Sequence, residues 1–386
     1  MALVWLLAGL CLSVASLGYL AGAILSVARY NPHARAQGAG PLPPVTVLKP
    51  LCGDEPALYE NLASFFSIDY PAYQIVLGVR DANDPALAVV ERLKRDFPAR
   101  AVAVVVNSQV HGTNLKISNL INMMPSARHD VLVIADSDIR VEPGYLRQVV
   151  AGLADPAVGV VTCAYLARPL RPSLACQLAA LQINEWFMPS VLVARGLGRA
   201  NFCMGSTMAV RRDSLAAIGG LEALKDLLAD DYMLGRLMVE RGYQVEMAPG
   251  LVETTVPEER LQPVIRHELR WARTIRTVEP ASYAGSALMY TSAMTLIAAG
   301  LFLLGGLSLG FSLLPLAAAV AGRLALHGLV RRKLRTAAAG WWLVPIRDIL
   351  SFGVWAASFA GRSVIWRGQH LEVDAQGVLT EAVSEV

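Results

Sequence analysis

The sequence predicts an α/β fold: a mostly parallel, Rossmann-like sheet domain inserted between an N-terminal transmembrane helix and C-terminal transmembrane helices. Three observations carry this. Leu3 to Val27 and Pro280 to Gly322 contain no charged residue, and between them short β-rich runs alternate with helical patterns. The composition agrees. Hydrophobic residues make up 54% of the 386 and charged ones only 17%, too apolar for an ordinary soluble chain.

The first uncharged run, at ~1.5 Å per residue, is long enough to cross ~30 Å of hydrocarbon. A cleaved signal peptide would bring a basic start and a shorter apolar core. Neither is present, so an uncleaved anchor is expected over residues 1–28. Arg29, His33 and Arg35 follow it, which places that end in the cytosol. Residues 29–43 form a Gly/Pro-containing linker, 44–280 the sheet domain, 281–368 a membrane region of two to three helices, and 369–386 a polar tail. The second uncharged run is too long for one helix. Gly310 and Pro315 offer a break, which gives a hairpin. Arg266, Arg270, Arg273 and Arg276 precede it, and Arg331, Arg332, Lys333 and Arg335 follow it, so both ends are expected on the cytosolic side. In Trp341 to Trp366 the charges of Arg347, Asp348 and Arg362 interrupt the apolar run. A tilted span and a re-entrant or interfacial helix both remain open there.

Inside the domain, strands are expected at Pro44–Leu48, Gln74–Val79, Val102–Val106 and Asp130–Ala135, and helices at Tyr59–Phe66 and Ala86–Phe97. Strands that are apolar on both faces and alternate with helices give a parallel, doubly wound sheet. Its ligands bind beyond the carboxyl ends of the strands. The five cysteines are odd in number and show no CxxC spacing, which argues against a disulfide framework or zinc site and for a reducing compartment. The net charge of +3 gives no ground for a nucleic-acid partner.

Four motifs carry candidate chemistry. Asp81-Ala-Asn-Asp84-Pro85 follows a strand and could accept hydrogen bonds from a base or ribose; its residue types also make a plain solvated turn. Asp136-Ser137-Asp138 ends the most apolar strand. Two carboxylates at that spacing can hold a hard divalent cation against a diphosphate. Asp230-Asp231-Tyr232 is either a helix cap or the site of a general base for an incoming hydroxyl. His267-Glu268-Leu269-Arg270-Trp271 could hold a leaving diphosphate, and some of its neighbouring arginines fit a juxtamembrane helix on anionic lipid. Lesser candidates are Lys116, placed near phosphate or merely at a helix entry, and Gly205-Ser206-Thr207, a pocket floor or a turn. Gln177 to Arg195 reads as either an interfacial helix presenting a lipid or a core helix.

In this order, between such anchors, the four motifs resemble the ceramide glucosyltransferase family. It belongs to the large GT-A class with a D, DxD, D, (Q/R)xxRW pattern. The resemblance spans nearly the whole chain. V-L-K-P-L-C-G from Val47, N-L-I-N-M from Asn119, V-I-A-D-S-D-I-R from Val133, I-N-E-W-F from Ile183 and R-H-E-L-R-W-A-R-T-I-R from Arg266 look most like its hopanoid-associated bacterial branch. The resemblance implies an inverting hexosyltransferase in a bacterial inner membrane, multi-pass, with its catalytic domain facing the cytosol. Asp84, with Asp81 beside it, would contact the nucleotide. Asp136 and Asp138 would flank the diphosphate and Mg²⁺ or Mn²⁺, Asp138 being the main ligand. Asp231 would be the catalytic base, and Arg270 and Trp271 would close the last motif. Its start departs from the pattern: His267 stands where Gln or Arg is usual, and Arg266 is a second candidate for that contact. The implied donor is a UDP-sugar, UDP-N-acetylglucosamine, and the implied acceptor a bacteriohopanetetrol-type lipid. Ceramide with UDP-glucose is the alternative. A processive polysaccharide synthase would need more spanning helices and a Gln at position 267. A non-catalytic sugar-nucleotide sensor would have no need of intact Asp136, Asp138 and Asp231. A transporter would need a polar pathway that these uncharged spans do not offer. The residues do not fix an oligomeric state.

Overall fold

Valine- and isoleucine-rich runs form strands because their branched Cβ atoms pack well on a pleated, buried surface. A computed structural model describes residues 1–32, 42–337, 339–361, 363–366, 369–373 and 379–381. Helix α1 (Ala2–Arg29) precedes β1 (Val45–Pro50), α2 (Leu58–Phe66), β2 (Tyr73–Val79), α3 (Ala86–Asp96), β3 (Ala101–Val106), α4 (Leu115–Met123) and β4 (Val131–Ile134). Next come β5 (Ile139–Arg140), α5 (Tyr145–Gly152), β6 (Val158–Pro169), α6 (Leu174–Leu181) and, after a π-helical turn at Gln182–Phe187, α7 (Met188–Gly196). They are followed by β7 (Met208–Arg211), α8 (Arg212–Ala217), α9 (Asp230–Glu240), β8 (Gln244–Val256) and α10 (Leu261–Val278). The chain continues through α11 (Pro280–Gly285), α12 (Thr291–Leu304), α13 (Leu309–Leu334) and α14 (Leu343–Ser358), and then the short strands Ser363–Trp366, Gln369–Val373 and Leu379–Glu381. Two compact units result.

The sheet unit is built mainly from Asn31–Leu166 and Ala200–Thr255. Its strands belong to an eight-stranded sheet of order β3-β2-β1-β4-β7-β6-β8-β5. The half containing β3, β2, β1 and β4 is parallel, as expected. The other half departs from the doubly wound expectation: β7 runs antiparallel to β4 and to β6, and β5 antiparallel to β8. Alternate residues of the central strands feed two cores. Val47, Ile75 and Val133 face one, and Leu48, Val76 and Leu132 the other, which is why the strands read as apolar on both faces. The edge strand β3 is only partly buried. Asp136 and Asp138 follow β4 directly, at its carboxyl end.

The second unit comprises Met1–Tyr30, Ala167–Arg199 and Val256–Gln376. Helices α1 and α13 are long and apolar enough to cross a membrane, and the chain is a membrane-associated protein. The buried positions of α1 are Gly9, Ser13, Ser16, Leu20, Ala23 and Val27. Their alternating spacing of three and four residues is a coiled-coil seam made mostly of small side chains, which let helices approach closely. A Cβ on Gly9 would lie 2.8 Å from the Phe302 ring of α12. The expected hairpin break at Gly310 and Pro315 falls elsewhere. Gly305 and Gly306 end α12, with Gly306 at φ +91°, and α13 runs on through Pro315. A left-handed glycine turns the chain more readily than a proline in the early turns of a membrane helix. The segment Pro280–Met289 is bent by 76° from α12.

Helix α14 has 16 residues, fewer than the ~20 a span takes. Its charges face protein. Asp348 accepts hydrogen bonds from Trp186 Nε1 at 2.8 Å and Ser292 N at 2.5 Å. Of the two readings of Gln177 to Arg195, the core one fits. Asn184, Glu185 and Trp186 are buried, His327 pairs with Glu185 at 2.5 Å, and the Arg323 guanidinium stacks 3.6 Å above the Trp186 ring. All five cysteines are free thiols.

Candidate active site

Strand β1, the turns after β4 and before β7, and the first turns of α4 and α9 bring acids and amines together in the sheet unit. Asn114 caps α4 by accepting from Lys116 N (3.0 Å) and Ile117 N (3.1 Å), and its amide donates to Leu227 O at 2.8 Å. That clamp fixes the first turn of α4 beside the segment entering α9. Lys116 Nζ consequently lies 2.8 Å from Asp136 Oδ1 and 2.9 Å from Asp230 Oδ2. Burial works against its charge, but Asp136, Asp230 and Asp231 outweigh that and hold its pKa above the usual lysine value.

Asp231 sits at the start of α9, where both the cap and the base readings placed it. Its Oδ1 accepts from Tyr232 N and its Oδ2 from Gly205 N, each at 2.8 Å. Burial first, and then the charge of Asp230, push its pKa up to about 6, with Lys116 pulling the other way. Asp138 Oδ2 accepts from Thr254 Oγ1 at 2.5 Å. Burial and the neighbouring Asp136 raise its pKa.

One contributor was not singled out from sequence. Lys49, fully buried on β1, donates to Asp136 O and stands 3.9 Å over the Phe65 ring. Burial pulls its pKa down to about 7. A lysine inside an otherwise apolar strand was the available signal. Gly205, read from sequence as a pocket floor or a turn, lies against two of the carboxylates. A Cβ there would lie 2.6 Å from Asp136 Oδ2 and 3.5 Å from Asp231 Oδ2. Gly205→Ala is therefore expected to push Asp136 aside and lower turnover at least tenfold with little change in melting temperature. Steady-state kinetics beside a thermal melt checks this.

Asp81 and Asp84 form a separate arrangement. Exposed Asp81 accepts from Asn83 N at 2.8 Å, the turn its sequence suggested. Asp84 takes the Gly53 N–H on both carboxylate oxygens at 3.0 Å and accepts from Ala86 N at 2.9 Å. It thereby ties the loop after β1 to the start of α3. Gly53 is left-handed, at φ +79°, where a side chain would strain the backbone. Asp84→Ala removes these acceptors and is expected to cost about 1 kcal/mol, readable in chemical denaturation.

His267, Arg270 and Trp271 lie on α10 of the second unit. His267 Nδ1 meets Glu258 Oε1 at 3.2 Å, and its ring packs on Trp271 at 4.4 Å between centroids. Burial works against the charge of Glu258, yet its bond to His267 keeps that pKa below normal. Arg273 and Arg276 are used within the protein. They donate to Ala360 O at 2.9 Å and Gly361 O at 2.7 Å, in the turn just past α14.

Among the described residues, no three His, Cys, Asp or Glu side chains converge as a metal cage. Asp136 and Asp138 nevertheless fit a hard divalent cation. They offer carboxylate oxygens, and burial together with their mutual repulsion already raises the pKa of Asp138. Mg²⁺ and Mn²⁺ commonly take one or two carboxylates and fill their remaining positions with water and phosphate oxygens.

A family model described as glycosyl transferase family 21 matches residues 8–379. The chain belongs to that family. Among curated relatives of this family-21 chain, ceramide glucosyltransferase 3 of Caenorhabditis elegans is 27% identical over 232 residues, 57% of this chain and 48% of the relative. An N-acetylglucosaminyltransferase of Bradyrhizobium diazoefficiens is 24% identical over 242 residues, 60% of this chain and 49% of the relative. The chain thus spans about half the length of these relatives. Among solved structures, a mannosyltransferase of Pyrobaculum calidifontis in complex with GDP-Man and Mn²⁺ is similar, with a TM-score of 0.52 and 19% identity, covering 92% of this chain and 99% of that one. The family-21 chain therefore has a GT-A-type fold.

Proposed function

We propose that this chain is an inverting glycosyltransferase that moves a sugar from a UDP-sugar, UDP-N-acetylglucosamine, to a hydroxyl of a membrane lipid of the bacteriohopanetetrol type. The observation that carries the reading is Asp231, a half-buried carboxylate with a pKa of about 6, set beside the Asp136–Lys116–Asp230 cluster at the sheet's carboxyl edge. Such a group is ionised at neutral pH and still basic enough to take a proton.

Asp231 accepts the proton of the lipid hydroxyl while the N–H groups of Gly205 and Tyr232 hold its carboxylate in place. The oxygen forms its bond to the anomeric carbon on the face opposite the nucleotide. The bond to the diphosphate breaks and the electron pair leaves with the diphosphate, so the configuration inverts. The family resemblance assigns Arg270, His267 and Trp271 to that leaving group, and within the sheet unit Lys116 is the cation beside Asp136. Asp84 and Asp81 contact the nucleoside. Mg²⁺ or Mn²⁺, when bound by Asp138 and Asp136, supplies charge neutralisation for the diphosphate. The basic residues that follow α1 and end α13 support the sheet unit on the cytosolic side, and the bacterial inner membrane rests on the family resemblance. The curated relative named as a ceramide glucosyltransferase favours a second reading, ceramide with UDP-glucose.

The test incubates the detergent-extracted protein with UDP-N-acetylglucosamine or UDP-glucose, each with bacteriohopanetetrol or ceramide, and identifies lipid products by mass spectrometry. A glycosylated hopanoid supports the proposal, and glucosylceramide alone substitutes the second reading. No glycosylated lipid from any pair overturns both.

A further inference from the structure

We infer that Arg347 is a positioning residue that sets the rotation of α10, and with it His267, Arg270 and Trp271; this rests on the transferase reading for its catalytic consequence. Glu268 lies inside that motif and is one of only two buried positions on α10, the other being Val264 one turn earlier. The helix therefore docks along a Val264–Glu268 stripe, and a carboxylate rather than an aliphatic side chain fills the centre of that contact.

Its partner is equally enclosed. Arg347, with no exposed surface, grips Glu268 with both ends of its guanidinium, NH1 to Oε1 at 3.0 Å and NH2 to Oε2 at 2.5 Å. The remaining donors reach other elements: Nε to Ser351 Oγ at 2.9 Å within α14, and NH1 to Leu178 O of α6 at 3.4 Å. Ser351 in turn donates to Gln182 Oε1 at 2.8 Å. One planar fork thus joins three helices, and only guanidinium has the geometry to satisfy a carboxylate in two places at once.

Rotation matters because consecutive helical residues are ~100° apart. With Glu268 held inward, His267 and Trp271, four residues apart, share a flank. Glu258 steadies that flank through His267. An apolar contact would leave α10 free to roll by a fraction of a turn, whereas a bidentate pair does not. Buried ion pairs contribute little net stability over apolar replacements, so specificity of placement is the reason this one fits here.

The experiment uses the full-length protein in detergent or nanodiscs and compares wild type, Arg347→Lys, and the double variant Glu268→Met with Arg347→Met. The double variant removes both charges, so no uncompensated ion is left buried. Hydrogen exchange is read across residues 261–278, and kcat and KM are measured with UDP-N-acetylglucosamine and bacteriohopanetetrol. The double variant is expected to melt close to wild type, to exchange faster within α10, and to lose about 10- to 100-fold in kcat with KM little changed. Arg347→Lys keeps the charge without the fork and is expected to lie between. Unchanged exchange in α10 together with wild-type kcat in a folded variant overturns the inference, as does a kcat loss no larger than the unfolded fraction. Should the double variant not fold, Arg347→Lys decides by the same readings. If wild type transfers no sugar, the transferase reading falls, and the exchange arm still decides whether Arg347 holds α10.

Discussion

Asp231→Asn is expected to lower kcat by about 10²–10⁴-fold, the usual effect of removing a positioned base, while the protein stays folded. The two backbone N–H groups that hold the carboxylate, those of Gly205 and Tyr232, each need an acceptor. An amide supplies one acceptor and turns a second N–H toward the other donor. A local cost of about 1–3 kcal/mol follows, so a thermal melt is run beside the kinetics. The pH profile gives the sharper check. A base works when deprotonated, and the Asp231 pKa is about 6. In the wild type, kcat should therefore fall as pH drops through about 6 and level off above it. In the asparagine variant that limb should be absent. Near-normal transfer by Asp231→Asn would remove this residue from the role of base.

The elements around that residue were readable from sequence to unequal degrees. β4 is a continuous run of Val, Leu and Ile and β1 and β2 are rich in them, and a strand packed on both faces leaves that mark directly. The antiparallel half was not readable. β6 and β8 carry threonines, prolines and charges within long strands, and strand direction depends on connections that no local pattern encodes. The hairpin break was missed for a similar reason. Gly310 and Pro315 are stronger breakers on paper, but Gly305 lies where a Cβ would meet Leu6 of α1 at 2.6 Å, a constraint visible only after packing. Arg347 and Asp348 looked like obstacles to a membrane helix. Each has its partner more than 50 positions away in the chain, Glu268 for one and Trp186 for the other. The acids of the site were legible because each follows an apolar strand or opens a helix. The cation between them was only half legible: Lys116 was noted beside phosphate, while its grip on Asp136 and Asp230 depends on the Asn114 clamp to Leu227.

Lys116→Met tests that grip. The substitution keeps most of the side chain's apolar length and deletes the ammonium that Asp136, Asp230 and Asp231 share. The stability effect follows from linkage. The folded-state pKa of Lys116 is raised above its ordinary value, so its contribution is fully present below pH 10.5 and would be lost only at higher pH. At neutral pH the variant forfeits all of it. Breaking a buried pair costs about 3–5 kcal/mol, but Asp136 keeps 37% of its side chain exposed and its share is screened by solvent. A loss of about 3 kcal/mol is expected, seen as a lower melting temperature. The catalytic effect has its own direction. Lys116 pulls the Asp231 pKa down against burial and Asp230. Without it that pKa rises, the acid limb of kcat moves to higher pH, and less of the base is ionised at neutrality. Raising the pH should then recover part of the lost turnover, which a purely structural defect would not allow. Lys116→Arg retains the charge and should keep the limb near its wild-type position. If Lys116→Met leaves the limb at about pH 6, the ammonium does not tune Asp231, and its place between the carboxylates serves the fold alone.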